Sequence, residues 1–312
     1  MSRYLVTGGA GFIGSHICEE LLRRGQWITI LDNFSTGHRE NLRDLERELR
    51  IIKGDLRDVV TVREAMRGSD YVLHQGALPS VPRSVADPIA THQVNTEGTL
   101  NVLVAARDAG IKRVVFASSS SVYGDTPLLP KREDMAPNPK SPYAVSKLAG
   151  EHYCRVFYEI YGLETVALRY FNVFGPRQDP DSQYAAVIAK FTRALLDGGE
   201  ITVYGDGEQT RDFTYVANVV EANLLATGAP GAAGKVFNIA CGDQVSLNQV
   251  IRHLAELVHR ESEVVYQPPR AGDVKHSRAD IASASSVLGY RVKVAFDEGL
   301  ARTLRAINAA PE

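Results

Sequence analysis

The sequence is poor in the residues that fasten small or secreted proteins. Its three cysteines, Cys18, Cys154 and Cys241, lie far apart with no CxxC pair, which argues against a disulfide framework and a cysteine-built zinc site. They are expected to be buried small hydrophobes, and no metal site is expected. No stretch approaches about 18 uninterrupted apolar residues, so no membrane-spanning helix is expected. The opening segment "MSRYLVTGG" runs straight into a strand pattern without a signal-like apolar region, and a cytoplasmic protein is expected. Charge of one sign is also missing: 35 Lys plus Arg stand against 37 Asp plus Glu. No basic field invites nucleic acid, and no run of like charge forms a tail. Low complexity, tandem repeats and flexible linkers are absent as well.

What is present is an ordinary globular composition, 44% hydrophobic and 23% charged over 312 residues, enough for one large domain or two joined lobes. "RYLVTG", "WITILDN", "LRIIKGD", "DYVLHQGA", "RVVFASS" and "ETVALRYFN" are near-continuous apolar runs of the kind buried on both faces of a parallel sheet. Helical patterns alternate with them. "FIGSHICEELLRRG" puts Ile13, Ile17 and Leu21 on one face and stops at Gly25. This alternation predicts a Rossmann-like, doubly wound α/β sheet over residues 1–175. Residues 176–312 are expected to form mainly a smaller α/β lobe, with segments near 212–240, such as "GKVFNIACG", returning to the sheet.

The sharpest local signal is "VTGGAGFIG". Gly8, Gly11 and Gly14 stand between a strand and a helix, where missing Cβ atoms allow a tight turn and the approach of a pyrophosphate to backbone amides. Asp32 ends the next strand, where its carboxylate can accept from the two hydroxyls of an adenosine ribose. The following "NFSTG" offers no Arg or Lys for a 2′-phosphate, which favours NAD over NADP. Asp55 in "KGDL" can reach an adenine or, equally well on sequence, cap a helix.

In "SPYAVSK", Ser141 can cap a helix and Pro142 suits its first turn. Tyr143 and Lys147 then share one helical face. A serine cluster, "ASSSSVYG", ends the preceding strand at the sheet edge where doubly wound folds bind ligands. Oxidising an alcohol with NAD requires a base for the hydroxyl proton. A nearby ammonium and a positive nicotinamide would bring a tyrosine toward that role.

Together, "VTGGAGFIGSH", "LDNFSTGHREN", "GDLRD", "NTEGTLNVL", "FASSSSVYGD", "SPYAVSKLAGE", "RYFNVFGPRQ", "VYGDGEQTRDFTYV", "FNIACGD" and "RAGDV" occur in the order in which they stand in the extended short-chain dehydrogenase/reductases. The chain resembles that family, in particular its nucleotide-sugar 4-epimerases. The resemblance implies Tyr143 as base and acid, Lys147 as its electrostatic partner and Ser119 as hydroxyl donor. It implies NAD contacts from Gly8, Gly11, Phe12, Ile13, Gly14, Asp32, Asn33, Asp55, Leu56, Gln75, Ala77, Asn95 and Tyr170, besides Tyr143 and Lys147. For a UDP-sugar substrate it implies Ser119, Tyr143, Asn172, Ala186, Val187, Tyr204, Arg211, Arg270, Asp273 and Ser277. Arg211 and Arg270 would grip the phosphates and Asp273 the ribose.

Dehydratases of this type carry a carboxylate pair after the catalytic serine or threonine, where this chain has Ser120 and Ser121. Dehydration is therefore not expected. Strict glucose/galactose enzymes resemble one another in a tyrosine at the position of Ser277, and a small residue there leaves room for a C2 N-acetyl group. The expected activity is 4-epimerisation of UDP-N-acetylglucosamine and its galactosamine epimer, with UDP-glucose and UDP-galactose as further substrates. Alternatives are a UDP-uronic acid 4-epimerase or decarboxylase and, more remotely, a non-catalytic NAD-binding scaffold. Resemblance also implies a homodimer through the helices around "NTEGTLNVLVAARDAG" and "YAVSKLAGEHYCRVFYEIYG".

Overall fold

A computed structural model describes residues 1–179, 187–269 and 275–309. The central strands are β1 (Arg3–Thr7), β2 (Trp27–Asp32), β3 (Arg50–Lys53), β4 (Tyr71–His74), β5 (Arg113–Ser119) and β6 (Glu164–Tyr170), joined by Lys235–Ile239. All seven are parallel, in the order Lys235–Ile239, β6, β5, β4, β1, β2, β3. The chain winds outward from β1 through β2 and β3, then crosses back to β4 on the other side of β1. That reversal opens a crevice at the carboxyl ends of β1 and β4.

The continuous apolar strands follow from burial on both faces. Tyr4, Val6, Ile28, Ile30, Val115 and Leu168 pack with Ile17 and Leu21 of the helix Phe12–Arg23 and Val219 of the helix Val216–Gly228. Their neighbours Leu5, Leu31, Val72, Val114, Phe116 and Ala167 turn to the opposite face, against Val62, Val102, Leu103, Cys154 and Phe157. This is the period-two alternation of a strand, used twice. Past residue 175, Lys235–Ile239 pairs with β6, from Lys235 opposite Val166 to Ile239 opposite Tyr170. The larger core runs unbroken from Tyr4 to Leu304.

Among the remaining described residues, Ile201–Tyr204 pairs with Val264–Gln267, and Thr210–Arg211 with Val245–Ser246. Cys18 and Cys154 are buried as expected, whereas Cys241 is half-buried. No helix among the described residues is long and apolar enough to cross a membrane.

Candidate active site

The crevice contains a cavity of about 280 Å³ running from the glycine turn to the sheet edge at Tyr143. Gly8 has φ +68°, and a Cβ there would stand 2.7 Å from the backbone of Gly76. A Cβ on Gly14 would lie 2.1 Å from the carbonyl oxygen of Gly8, so helix, turn and neighbouring strand can meet only through glycine. The helix Phe12–Arg23 begins at Gly11 without a side-chain cap, which leaves its first amides for an anion. Asp32, at the end of β2, accepts hydrogen bonds from the amides of Ala10 (2.9 Å) and Phe34 (2.8 Å). These bonds fix its carboxylate at the wall of the cleft.

Asn33 donates to Asp55 at 2.8 Å. Arg57, hydrogen-bonded to Asp55, holds that carboxyl well below the usual range. The helix cap is Asp58, which accepts from the amide of Val60 at 3.0 Å, so Asp55 is left to line the cleft. Of the residues expected around a dinucleotide, all except Asn95 line this one cavity. Asn95 sits behind it. Its side chain exchanges hydrogen bonds with the backbone of Leu78 (2.7 and 3.1 Å) and donates to Ser146 (3.1 Å). The side chains present suit NAD: glycine-lined amides for the pyrophosphate and a carboxylate for an unphosphorylated ribose.

Tyr143 and Lys147 stand on the helix Pro142–Tyr161. Ser141 accepts from the amide of Ala144 at 3.2 Å and Pro142 occupies the first turn, so the helix starts where the sequence places it. Burial raises the Tyr143 phenol above its ordinary value, opposed by a hydrogen bond with Ser119. Burial likewise lowers Lys147 from 10.5 to about 8. Its ammonium donates to the carbonyl of Ala117 at 2.8 Å and lies 5.9 Å from the Tyr143 ring centre. Ser119, at the end of β5, accepts from the Ser121 amide (3.2 Å) and hydroxyl (2.9 Å). Ser118 turns the other way and donates to the buried Glu151 at 2.5 Å, which separates the roles of the adjacent serines.

Lys147 is only 4% exposed, and its lowered value implies a stability cost. At pH 7 it is protonated both folded and unfolded, and the folded state bears the desolvation. Between about pH 8 and 10.5 the unfolded chain holds the extra proton, so the cost fades as pH rises. Lys147→Met in NAD-stripped protein is expected to gain stability on the order of 3 kcal/mol at pH 7. The gain should shrink at pH 9.5. Urea midpoints at the two pH values check this; an equal gap at both contradicts it.

A second cavity, of about 550 Å³, is lined by Asn172, Val187, Tyr204 and Arg211 among others. Asn172 adopts φ +35° and its amide donates to the carbonyl of Asp212 at 3.0 Å. The neighbouring Asp212 is fully buried. It accepts from the amides of Cys241 (2.9 Å), Gly242 (3.0 Å) and Ala279 (3.0 Å). Burial pushes its carboxyl up to about 6 against the pull of those hydrogen bonds. Ser277 is buried between exposed His276 and Arg278, and its amide donates to Thr210 at 3.1 Å. Lys275 is exposed too. Ala186, Arg270 and Asp273 lie outside the described residues.

Residues 4–240 match the NAD dependent epimerase/dehydratase family. The chain belongs to this family. It is 41% identical over 306 residues to a UDP-glucose 4-epimerase of Mycolicibacterium smegmatis, covering 97% of each. The UDP-N-acetylglucosamine 4-epimerase of Methanobrevibacter ruminantium, solved with UDP-N-acetylmuramic acid, superimposes with a TM-score of 0.94 at 42% identity, covering 99% of this chain and 98% of that one. The UDP-glucose 4-epimerase of Thermus thermophilus, solved with NAD, gives 0.91 at 41% identity, covering 99% and 100%.

The epimerase/dehydratase fold here also uses residues that sequence reasoning passed over. Gly76 lines the cleft and packs against Gly8; its place after a strand in "HQGA" was the available signal. Asn223, fully buried on the helix Val216–Gly228, donates to the Tyr170 hydroxyl at 2.8 Å and accepts from Gln75 at 3.0 Å. A lone asparagine in a helix gives no such warning. His74 closes an apolar run, where a single polar residue reads as an ordinary interruption, and Asp212 follows the polar stretch "GDGEQTR", where one more charge reads as surface.

Proposed function

We propose that the protein is an NAD-dependent 4-epimerase of UDP-hexoses. It favours UDP-N-acetylglucosamine and UDP-N-acetylgalactosamine and also takes UDP-glucose and UDP-galactose. The observation that carries this reading is the presence of Tyr143 and Lys147 together at one end of the cleft, with Ser119 hydrogen-bonded to Tyr143 and Ser120 and Ser121 where a dehydratase pair would stand.

NAD held by the glycine turn at Gly8 and Gly11 and by Asp32 would supply a reversible hydride acceptor for C4 of the sugar, so that hydride could return to either face. The Tyr143 oxygen receives the O4 proton and later returns it. Burial alone makes the phenol a poor base, and the Lys147 ammonium beside it favours the phenolate. Ser119, fixed by Ser121, orients O4. Proton and hydride are both restored at the end of the cycle, so the net reaction is redox neutral and NAD is expected to stay bound. Asn172, Tyr204 and Arg211 suit the nucleotide end, Arg211 as a charge-assisted partner for phosphate.

The small side chain of Ser277 supports N-acetyl sugars, as does similarity to an enzyme named for UDP-N-acetylglucosamine. A panel of UDP-hexoses, UDP-N-acetylhexosamines and UDP-uronic acids followed by NMR tests this choice. Epimerisation of both N-acetylated and plain hexoses is expected, with Ser277→Tyr suppressing the N-acetylated pair selectively. Turnover confined to uronic acids would overturn it in favour of a uronic acid epimerase or decarboxylase.

A homodimer goes with this reading. Val85 and Ile89 are 65% and 70% exposed, and Val145, on the catalytic helix that packs beside their two short helices, is 53% exposed. Such an apolar cluster suits an isologous contact. Sedimentation velocity is expected to show a dimer, with Ile89→Glu shifting it to monomer; a monomeric wild type contradicts the assignment.

A further inference from the structure

We propose that His74 is a positioning residue that locks the glycine turn to the catalytic helix through a one-directional chain of hydrogen bonds. The ring lies at the end of β4, 1% exposed, between Thr7 of β1 and Thr99. Nδ1 is 2.6 Å from the Thr7 hydroxyl and Nε2 is 3.0 Å from the Thr99 hydroxyl. Thr99 donates to the carbonyl of Asn95 at 2.5 Å, and its single proton is thereby used. Nε2 must then be the donor to Thr99, and Nδ1 the acceptor from Thr7. Thr7, having given its proton to Nδ1, accepts from the amide of Gly76 at 3.1 Å. Every hydroxyl in the chain is both donor and acceptor, and only the neutral Nε2–H tautomer satisfies all of them.

Both ends of this chain reach the active site. Gly76 packs directly on Gly8 of the cofactor turn. Asn95 holds the backbone of Leu78 in the cleft wall and donates to Ser146 at 3.1 Å; Ser146 in turn donates to the carbonyl of Tyr143 at 2.7 Å. The path from the turn to the catalytic tyrosine thus runs through Thr7, His74, Thr99, Asn95 and Ser146, each at most 3% exposed. A protonated ring would set two donors against Thr7 and Thr99 and leave the Thr7 proton without its acceptor. Burial, together with the Lys147 charge, pushes the ring down to about 3, consistent with the neutral form. The function of the chain is to fix the distance between cofactor and base, where small displacements are costly.

The inference rests on the NAD-dependent reading, so its test includes measurements that need no turnover. Nitrogen-15 NMR of the holoprotein is expected to show His74 as the neutral Nε2–H tautomer from pH 6 to 9. A cationic ring or the Nδ1–H tautomer overturns the proposal. Thr7→Val keeps the shape and deletes the hydroxyl. It is expected to lower NAD retained per subunit and to cut kcat by about 10- to 100-fold, with KM for the UDP-sugar nearly unchanged. Thr7→Ser should restore both. A folded Thr7→Val protein with wild-type NAD content and kcat, or a serine variant as impaired as the valine one, refutes it. If Thr7→Val does not fold, Thr99→Val and Thr99→Ser pose the same question at the other ring nitrogen. Wild-type protein inactive on every UDP-hexose would instead sink the epimerase reading, and the tautomer would still report on the chain.

Discussion

Tyr143→Phe is expected to lower kcat for epimerisation by about 10²- to 10⁴-fold, the usual worth of a positioned acid–base group. The substitution removes one oxygen from a ring whose place is set by the capped start of the helix Pro142–Tyr161. Fold and NAD content should therefore persist. Ser119 cannot substitute, because a serine hydroxyl has no accessible conjugate base near neutrality, and Lys147 is already donating to Ala117. Lys147 is in its ammonium form below about pH 8, which is the form that favours a phenolate. NMR of UDP-sugar interconversion, with NAD released by denaturation and quantified, separates chemistry from binding. An unchanged rate would remove Tyr143 as the base.

Glu151→Gln is expected to destabilise the protein by about 3–5 kcal/mol, the cost of leaving a buried charge without its counterion. Glu151 and Arg169 have side chains each 4% exposed and meet through two hydrogen bonds of 2.9 and 2.7 Å. The guanidinium also lies 4.6 Å from the centre of the Tyr123 ring. Glutamine keeps the volume and part of the hydrogen bonding, so the loss isolates charge rather than packing. Denaturant midpoints measure it. Pairing Glu151→Leu with Arg169→Met should recover much of the loss, since a buried ion pair can often be exchanged for apolar residues. A glutamine variant as stable as wild type would show that water or relaxation already screens Arg169. Because Ser118 donates to Glu151 and precedes Ser119, a secondary fall in kcat is expected as well.

Much of the fold was legible because burial on both faces leaves so plain a mark. Runs such as Val114, Val115 and Phe116 cannot sit on a half-exposed strand, and each of these residues is buried. The helix Pro142–Tyr161 was equally readable, since Ser141 and Pro142 announce its start in local chemistry. Legibility ended where a polar group serves the interior. Asp55 reads on sequence as either a cleft residue or a helix cap, and only the chain path shows that the cap is Asp58. Asn95 matches a cofactor motif, yet its amide is committed to Leu78 and Ser146. The partners of His74 come from β1 and from a helix some 25 residues downstream, a convergence that no local pattern encodes.

The sheet order has a consequence for how the protein is made. The strand Lys235–Ile239 covers the outer edge of β6 but follows it by more than 60 residues. A nascent chain halted after residue 175 would carry the hydrogen-bonding edge of Thr165–Arg169 bare, beside side chains that are buried in the finished fold. An unpaired apolar edge is the surface that invites intermolecular strand addition. During synthesis, β6 must remain uncovered until the helix Val216–Gly228 and its following strand emerge. That interval, rather than the stability of the completed sheet, is the stage at which the chain is most exposed to aggregation.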